Sequence, residues 1–196
     1  YCIGLARYAQ SPVNEFAALG TDLGKPATEA LITEIVSVRS EVDHALLHLT
    51  DWMEPRPVKL PLALRPASAE VRPRPKGLVL VIGAWNYPVQ LALAPVVGAL
   101  AAGNTVVLSP SEKAPATAAA LRELVPQYLD SALVSVVAGG KECNTALLAE
   151  PWDHILYTGG ERVGRIVYEA AAKTLSPVTL ELGGKSPAVV TPSRNT

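Results

Sequence analysis

Residues 77–88 read Gly77-Leu78-Val79-Leu80-Val81-Ile82-Gly83-Ala84-Trp85-Asn86-Tyr87-Pro88. Five consecutive apolar residues between two glycines are too few for a helix and rich in β-branched types. That is the pattern of a strand buried on both faces. A proline follows at 88, where the fixed φ of its ring suits the first turn of a helix. The apolar stretch after it reaches Ala102 and is closed by Gly103-Asn104, a helix stop. A buried strand feeding straight into a helix opens a β-α-β unit, and such units build parallel sheets covered by helices.

The same alternation continues outward. Strands are expected at 105–108, 133–137, 154–157 and 178–182, and helices at 114–129, 144–150 and 163–175, with Gly139-Gly140 and Gly159-Gly160 at two of the junctions. The expected fold is α/β, a Rossmann-like doubly wound parallel sheet. Before it, Ile32, Ile35, Val38, Val42, Leu46, Leu49 and Met53 recur every third or fourth residue, predicting one long amphipathic helix that stops at Glu54-Pro55-Arg56-Pro57. Residues 55–75 are rich in proline, and the alternation of Val58, Leu60, Leu62 and Leu64 suggests an edge strand or extended hairpin. Three segments result: a helical opening (1–54), an extended stretch (55–76) and an α/β unit (77–196).

Bulk properties narrow the function. Hydrophobic residues make up 49% and charged residues 18% of the 196, which is enough to fold around a core. The net charge is -1 with both signs interspersed, so no basic block exists to neutralise a nucleic-acid backbone. Gly, Pro or Asn interrupts each apolar run before it could cross a bilayer. Tyr1-Cys2-Ile3-Gly4 lacks an initiator Met and a basic leader, so a secretory signal is not expected here, and the chain is expected to be cut from something longer. Two cysteines, Cys2 and Cys143, are too few for a disulfide framework and favour a reducing, cytoplasmic setting.

Ligands of a doubly wound sheet bind where strands end and helices begin. Asn86, at the first junction, could donate its amide to an oxygen that becomes negative in a transition state, or could simply cap the helix. Glu112, in Ser109-Pro110-Ser111-Glu112, stands where a nucleotide fold holds ribose hydroxyls, or complements a helix dipole. Thr158-Gly159-Gly160-Glu161-Arg162-Val163-Gly164 lets a backbone approach a pyrophosphate, although its spacing is not that of the Gly-x-Gly-x-x-Gly fingerprint, and a tight turn explains it equally well. His44 and His48 have metal-ligand spacing but no third ligand in view; they read as a solvated helix face, with no metal expected. Cys143 carries no activation pattern and reads as structural.

Taken in order, "GAWNYP", "AAGNTVVLSPSEKAPATA", "YTGGERVGRIV" and "LELGGKSP" resemble an aldehyde dehydrogenase, and "DLGKPATEALITEI" through "RPKG" resembles its class 3 branch, which acts on fatty and aromatic aldehydes. The likeness runs from about Phe16 onward. It implies an incomplete aldehyde dehydrogenase fold: Asn86 as oxyanion donor, Glu181 as the base that activates the deacylating water, and a cofactor pocket. Trp85, Ser109, Glu112, Gly139, Gly140, Gly159, Gly160, Val163, Leu182 and Gly183 match that pocket. It also implies a small-molecule aldehyde as substrate, NAD as cofactor and a homodimer in the complete enzyme.

Two departures stand out. Position 109 is Ser where the family places a Lys beside the adenosine ribose, so NADP is expected to be used little. The nucleophilic Cys of the family falls beyond Thr196, so the chain is expected to lack the catalytic domain and to be inactive alone. The alternative is a nucleotide-binding or dimerising module without chemistry. A membrane-associating C-terminal tail beyond this sequence stays open.

Overall fold

The computed structural model describes residues 13–189. Cys2 and the residues from Val190 onward lie outside them. β3 (Leu78–Ile82) is the central strand of a five-stranded parallel sheet in which β4 (Thr105–Ser109) and β5 (Val134–Val136) lie to one side and β6 (His154–Gly159) and β7 (Val178–Leu182) to the other, in the order β5-β4-β3-β6-β7. The chain therefore reverses its direction of travel between β3 and β6. A crevice opens at such a point because neighbouring connections leave on opposite faces.

Alternation along β3 fixes the two layers. Val79 and Val81 pack with Val106, Leu108 and Val134 under α4 (Gln90–Ala101) and α5 (Pro115–Tyr128). Leu80 and Ile82 face the other way, onto Ile155, Tyr157 and the buried Val167 and Ala171 of α7 (Glu161–Thr174). The short α6 (Lys141–Ala149) bridges β5 to β6 on that second face. Both faces of β3 are thus covered, which is why its sequence shows no polar alternation.

The opening segment is more broken than its periodicity predicts. α1 (Val13–Leu23) precedes α2 (Ala27–Ala30), which passes through a π-helical stretch, Leu31–Ile35, into α3 (Val36–Met53). Two buried or half-buried polar side chains tie helix ends to distant parts of the chain. The Asp22 carboxylate accepts the amides of Ala116 and Thr117 at 3.1 and 2.7 Å, capping α5 from a distant part of the chain. Asn104 accepts the amides of Lys76 and Gly77 at 2.7 and 2.9 Å and donates to the Ala99 carbonyl at 3.0 Å, closing the end of α4 against the start of β3.

The proline-rich stretch is a hairpin of β1 (Arg56–Val58) and β2 (Ala69–Val71), paired antiparallel and exposed. Leu62 and Leu64, expected in an extended strand, instead lie in a 3₁₀ turn at Leu62–Leu64. Their alternation came from two turn residues flanked by Pro61 and Pro66, not from a pleated edge.

Candidate functional site

The C-terminal ends of β3, β4, β6 and β7 open into one cleft of about 890 Å³, within the range of small-molecule sites. The loop after β3 contributes Gly83, Ala84, Trp85 and Asn86, and the loop after β4 contributes Ser111, Glu112 and Lys113. Thr158, Gly159 and Gly160 form the turn into α7, and Glu181, Leu182 and Gly183 leave β7 on the same side. Nine residues singled out in the sequence therefore meet here: Trp85, Asn86, Glu112, Gly159, Gly160, Val163, Glu181, Leu182 and Gly183. Strands far apart in sequence bring them together because all five run in one direction and end on one edge.

The turn into α7 has the geometry of an anion seat. Gly160 occupies the N-cap with φ -78° and no side-chain cap, so the amides of Glu161, Arg162 and Val163 have no intrahelical acceptor. Below it the buried Tyr157 donates its O–H to the Gly160 carbonyl at 3.3 Å, and a Cβ on Gly159 would collide with that hydroxyl. Burial pushes the Tyr157 phenol above its ordinary range, so it stays a donor at neutral pH. Gly164, one turn on, faces Leu182, whose Cδ2 would lie 2.8 Å from an added Cβ. Helix and strand approach closely only because that position is bare.

Three expected residues sit elsewhere. Ser109 is fully buried, does not line the cleft, and donates its hydroxyl to Asn144 Oδ1 at 2.8 Å. Gly139 and Gly140 also lie off the cleft; Gly139 leaves room for the Cys143 side chain, and Gly140 caps α6 and faces Glu112. Cys143 is free and half-buried against that glycine. On α3 the rings of His44 and His48 stand 4.5 Å apart, with Trp52 stacked beyond them on an exposed face. Among the described residues no three His, Cys, Asp or Glu side chains gather as metal ligands would.

Sequence reading overlooked the cations. Lys113, Lys141 and Arg162 all line the cleft, as do Asn144 and Thr145. Lys141 is the first residue of α6, directly after Gly140, so the rule that strand-to-helix junctions bind ligands would have found it.

Comparison with known proteins gives a consistent answer. The sequence pattern described as "Aldehyde dehydrogenase family" matches residues 5–196. Aldehyde dehydrogenase family 3 member H1 of Arabidopsis thaliana is 52% identical over 174 residues, covering 89% of this chain and 36% of that protein. The solved structure of the substrate-bound state of Staphylococcus aureus AldH superposes with a TM-score of 0.92 at 40% identity, covering 95% of this chain and 41% of that one. A Mycobacterium tuberculosis aldehyde dehydrogenase complexed with NAD+ superposes at 0.80 with 33% identity over 94% of this chain and 38% of its own. The chain thus spans a little over a third of the length of the relatives it matches. A family match over almost all of its residues, on a parallel sheet whose ends converge on one cleft, makes this chain a member of the aldehyde dehydrogenase family.

Proposed function

We propose that the whole protein oxidises an aldehyde to a carboxylic acid with NAD, and that these 196 residues carry its cofactor cleft and two of its catalytic groups. The observation that supports this reading is convergence: Asn86 and Glu181, from strands at different places in the sheet, open onto the cleft that also holds Glu112 and the Gly159-Gly160 turn.

The residues present suit a dinucleotide. The free amides at the start of α7 suit a pyrophosphate, and Arg162 and Lys141 supply counter-charge along the same cleft. The Glu112 carboxylate suits ribose hydroxyls and repels a 2′-phosphate, while Ser109 places no cation beside it; both favour NAD over NADP. Trp85, Val163 and Leu182 add apolar walls, and Gly183 lets the backbone come close. Ser109, Gly139 and Gly140 act one step back, through Asn144, Cys143 and the start of α6. When bound, NAD supplies the acceptor for the hydride that leaves the aldehyde carbon.

The chain's own groups divide the remaining work. The Asn86 amide donates to the carbonyl oxygen as charge builds there, a contribution of about 3 kcal/mol for donors of this kind. Glu181, exposed at the end of β7, takes a proton from the water that releases the acid. The thiol that the acyl intermediate requires is not among the cleft-lining residues; the described cysteine, Cys143, is turned to Gly139. We therefore read these residues alone as a cofactor-binding unit without turnover.

The hairpin of β1 and β2 exposes Val58, Leu62, Leu64 and Val71, which supports a homodimer in the whole protein. The near absence of cysteine supports a cytoplasmic setting. No helix among the described residues is long and apolar enough to cross a membrane. Titration of the 196-residue chain with NADH and with NADPH, followed by fluorescence, tests the reading. NADH binding without aldehyde-dependent NADH production is the expected result. No binding of either nucleotide, or turnover by this chain alone, would overturn it.

A further inference from the structure

Lys25 and Glu34 form an ion pair that none of the cleft chemistry uses. Lys25 Nζ lies 2.6 Å from Glu34 Oε1, and the Lys25 side chain keeps 9% of its exposure and the Glu34 side chain none. Removing two charges from water is costly unless each finds further partners. Each does, and all the partners lie in one five-residue connection. Glu34 Oε2 accepts the amides of Val89 and Gln90 at 3.0 and 2.9 Å, two first-turn donors of α4 that no backbone carbonyl can reach. Lys25 Nζ donates to the Asn86 backbone carbonyl at 3.0 Å and stands 3.9 Å from the centre of the Tyr87 ring.

We infer that Lys25 and Glu34 are positioning residues that hold the Asn86 amide at the angle oxyanion stabilisation needs. The Asn86 side chain is exposed and has no hydrogen-bond partner among the described residues, so nothing fixes its direction except the backbone carrying it. That backbone is gripped on its C-terminal side by the ion pair, at the Asn86 carbonyl, the Tyr87 ring and the Val89 and Gln90 amides. On its N-terminal side the Gly83 amide is held by the Ser109 carbonyl at 2.9 Å. The π-helical stretch Leu31–Ile35 contains Glu34, and a wide turn of this kind re-aims a side chain that a regular helix would present elsewhere. A pair that served packing alone would need no contact with the catalytic loop. This pair directs its three other hydrogen bonds to that loop.

The inference rests on the reading of Asn86 as oxyanion donor, and the experiment separates the two. In the full-length protein that carries this chain, NAD-dependent aldehyde oxidation is measured for Lys25→Met, Asn86→Ala and the double variant. Lys25→Met is expected to lower kcat by roughly tenfold to a hundredfold, as a misplaced catalytic group does, with the KM for NAD nearly unchanged. The double variant is expected to be no slower than Asn86→Ala, since without the amide nothing remains to be positioned. Losses that multiply in the double variant, or full kcat in Lys25→Met, would overturn the positioning role and leave the reading of Asn86 standing. Undiminished kcat in Asn86→Ala would remove that reading and the inference together. Hydrogen exchange on the unsubstituted protein needs no variant to fold: the Val89 and Gln90 amides are expected to exchange at least about a hundredfold more slowly than free first-turn amides. Exchange at the free rate would overturn the clamp.

Discussion

The Ser109 hydroxyl donates to Asn144 Oδ1 at 2.8 Å, joining the end of β4 to the first turns of α6. Asn144 reaches the cleft and Ser109 does not. The residue that resemblance assigns to a cofactor is therefore one step removed from the cleft, bonded to a side chain that lines its wall.

That arrangement separates stability from affinity. Ser109→Ala removes one buried hydrogen bond and is expected to cost about 1 kcal/mol, roughly 2–4 °C in Tm for a chain of this size. NADH affinity, measured by fluorescence titration, should change by less than about threefold because no direct contact is lost. Asn144→Ala should lower both. A Ser109→Ala protein with normal Tm and tenfold weaker NADH binding would contradict the geometry.

Glu112 carries the opposite signature. Exposed on the cleft wall, it supports little of the fold but is proposed to accept the ribose hydroxyls. Replacing it by Gln removes a charged acceptor, about 1.5–3 kcal/mol, so NADH should bind roughly tenfold to a hundredfold more weakly. NADPH binding should weaken less, because a repulsive charge is removed as well. Equal losses for both nucleotides, read in the same titration, would show that Glu112 does not discriminate between them.

The two glycines before α7 should respond differently to the same substitution. A Cβ on Gly159 meets the hydroxyl and Cζ of the buried Tyr157, a rigid ring that must shift as a whole and give up its bond to the Gly160 carbonyl, so Gly159→Ala should lower Tm by several degrees. A Cβ on Gly160 meets nothing within 4 Å and its φ of -78° suits alanine. Gly160→Ala should therefore leave Tm within about 2 °C, because the lower entropy of the unfolded chain offsets the preference that glycine holds over alanine at an N-cap. It should still weaken NADH binding by crowding the approach to the free amides. Calorimetry and nucleotide titration on the pair check both halves.

Much of this was legible in the residues, for a physical reason. β3 is buried on both faces, so its sequence had to be wholly apolar, and the loops beside it had to carry whatever chemistry the crevice performs. The starts of α6 and α7 were not legible. Periodicity places them at 144 and 163, whereas the helices begin at Lys141 and Glu161. A first helical turn that faces a cleft buries no apolar side chain, so it leaves no hydrophobic rhythm to read. The Lys25–Glu34 clamp was hidden more deeply. Its partners lie 55 and 61 residues away, and no local pattern distinguishes Lys25 from an ordinary charge in a connection, or Glu34 from one on an amphipathic helix.

His154 makes stability depend on pH in a stated direction. It opens β6 with Nε2 3.0 Å from Thr179 Oγ1, and its Nδ1 is buried without a partner among the described residues. Burial, helped by the nearby Lys76 charge, holds its pKa below the ordinary value of about 6.5. The unfolded chain therefore takes up the proton first as pH falls. The contribution of neutral His154 is fully present above about pH 6.5 and is lost progressively below it, down through the lowered folded value. Tm should accordingly drop between pH 7.5 and 5.5, and His154→Gln, which keeps a polar group near Thr179 but cannot titrate, should flatten that drop. Thermal unfolding followed by circular dichroism at a series of pH values reads the difference. An unchanged slope in His154→Gln would assign the acid sensitivity to the carboxylates instead.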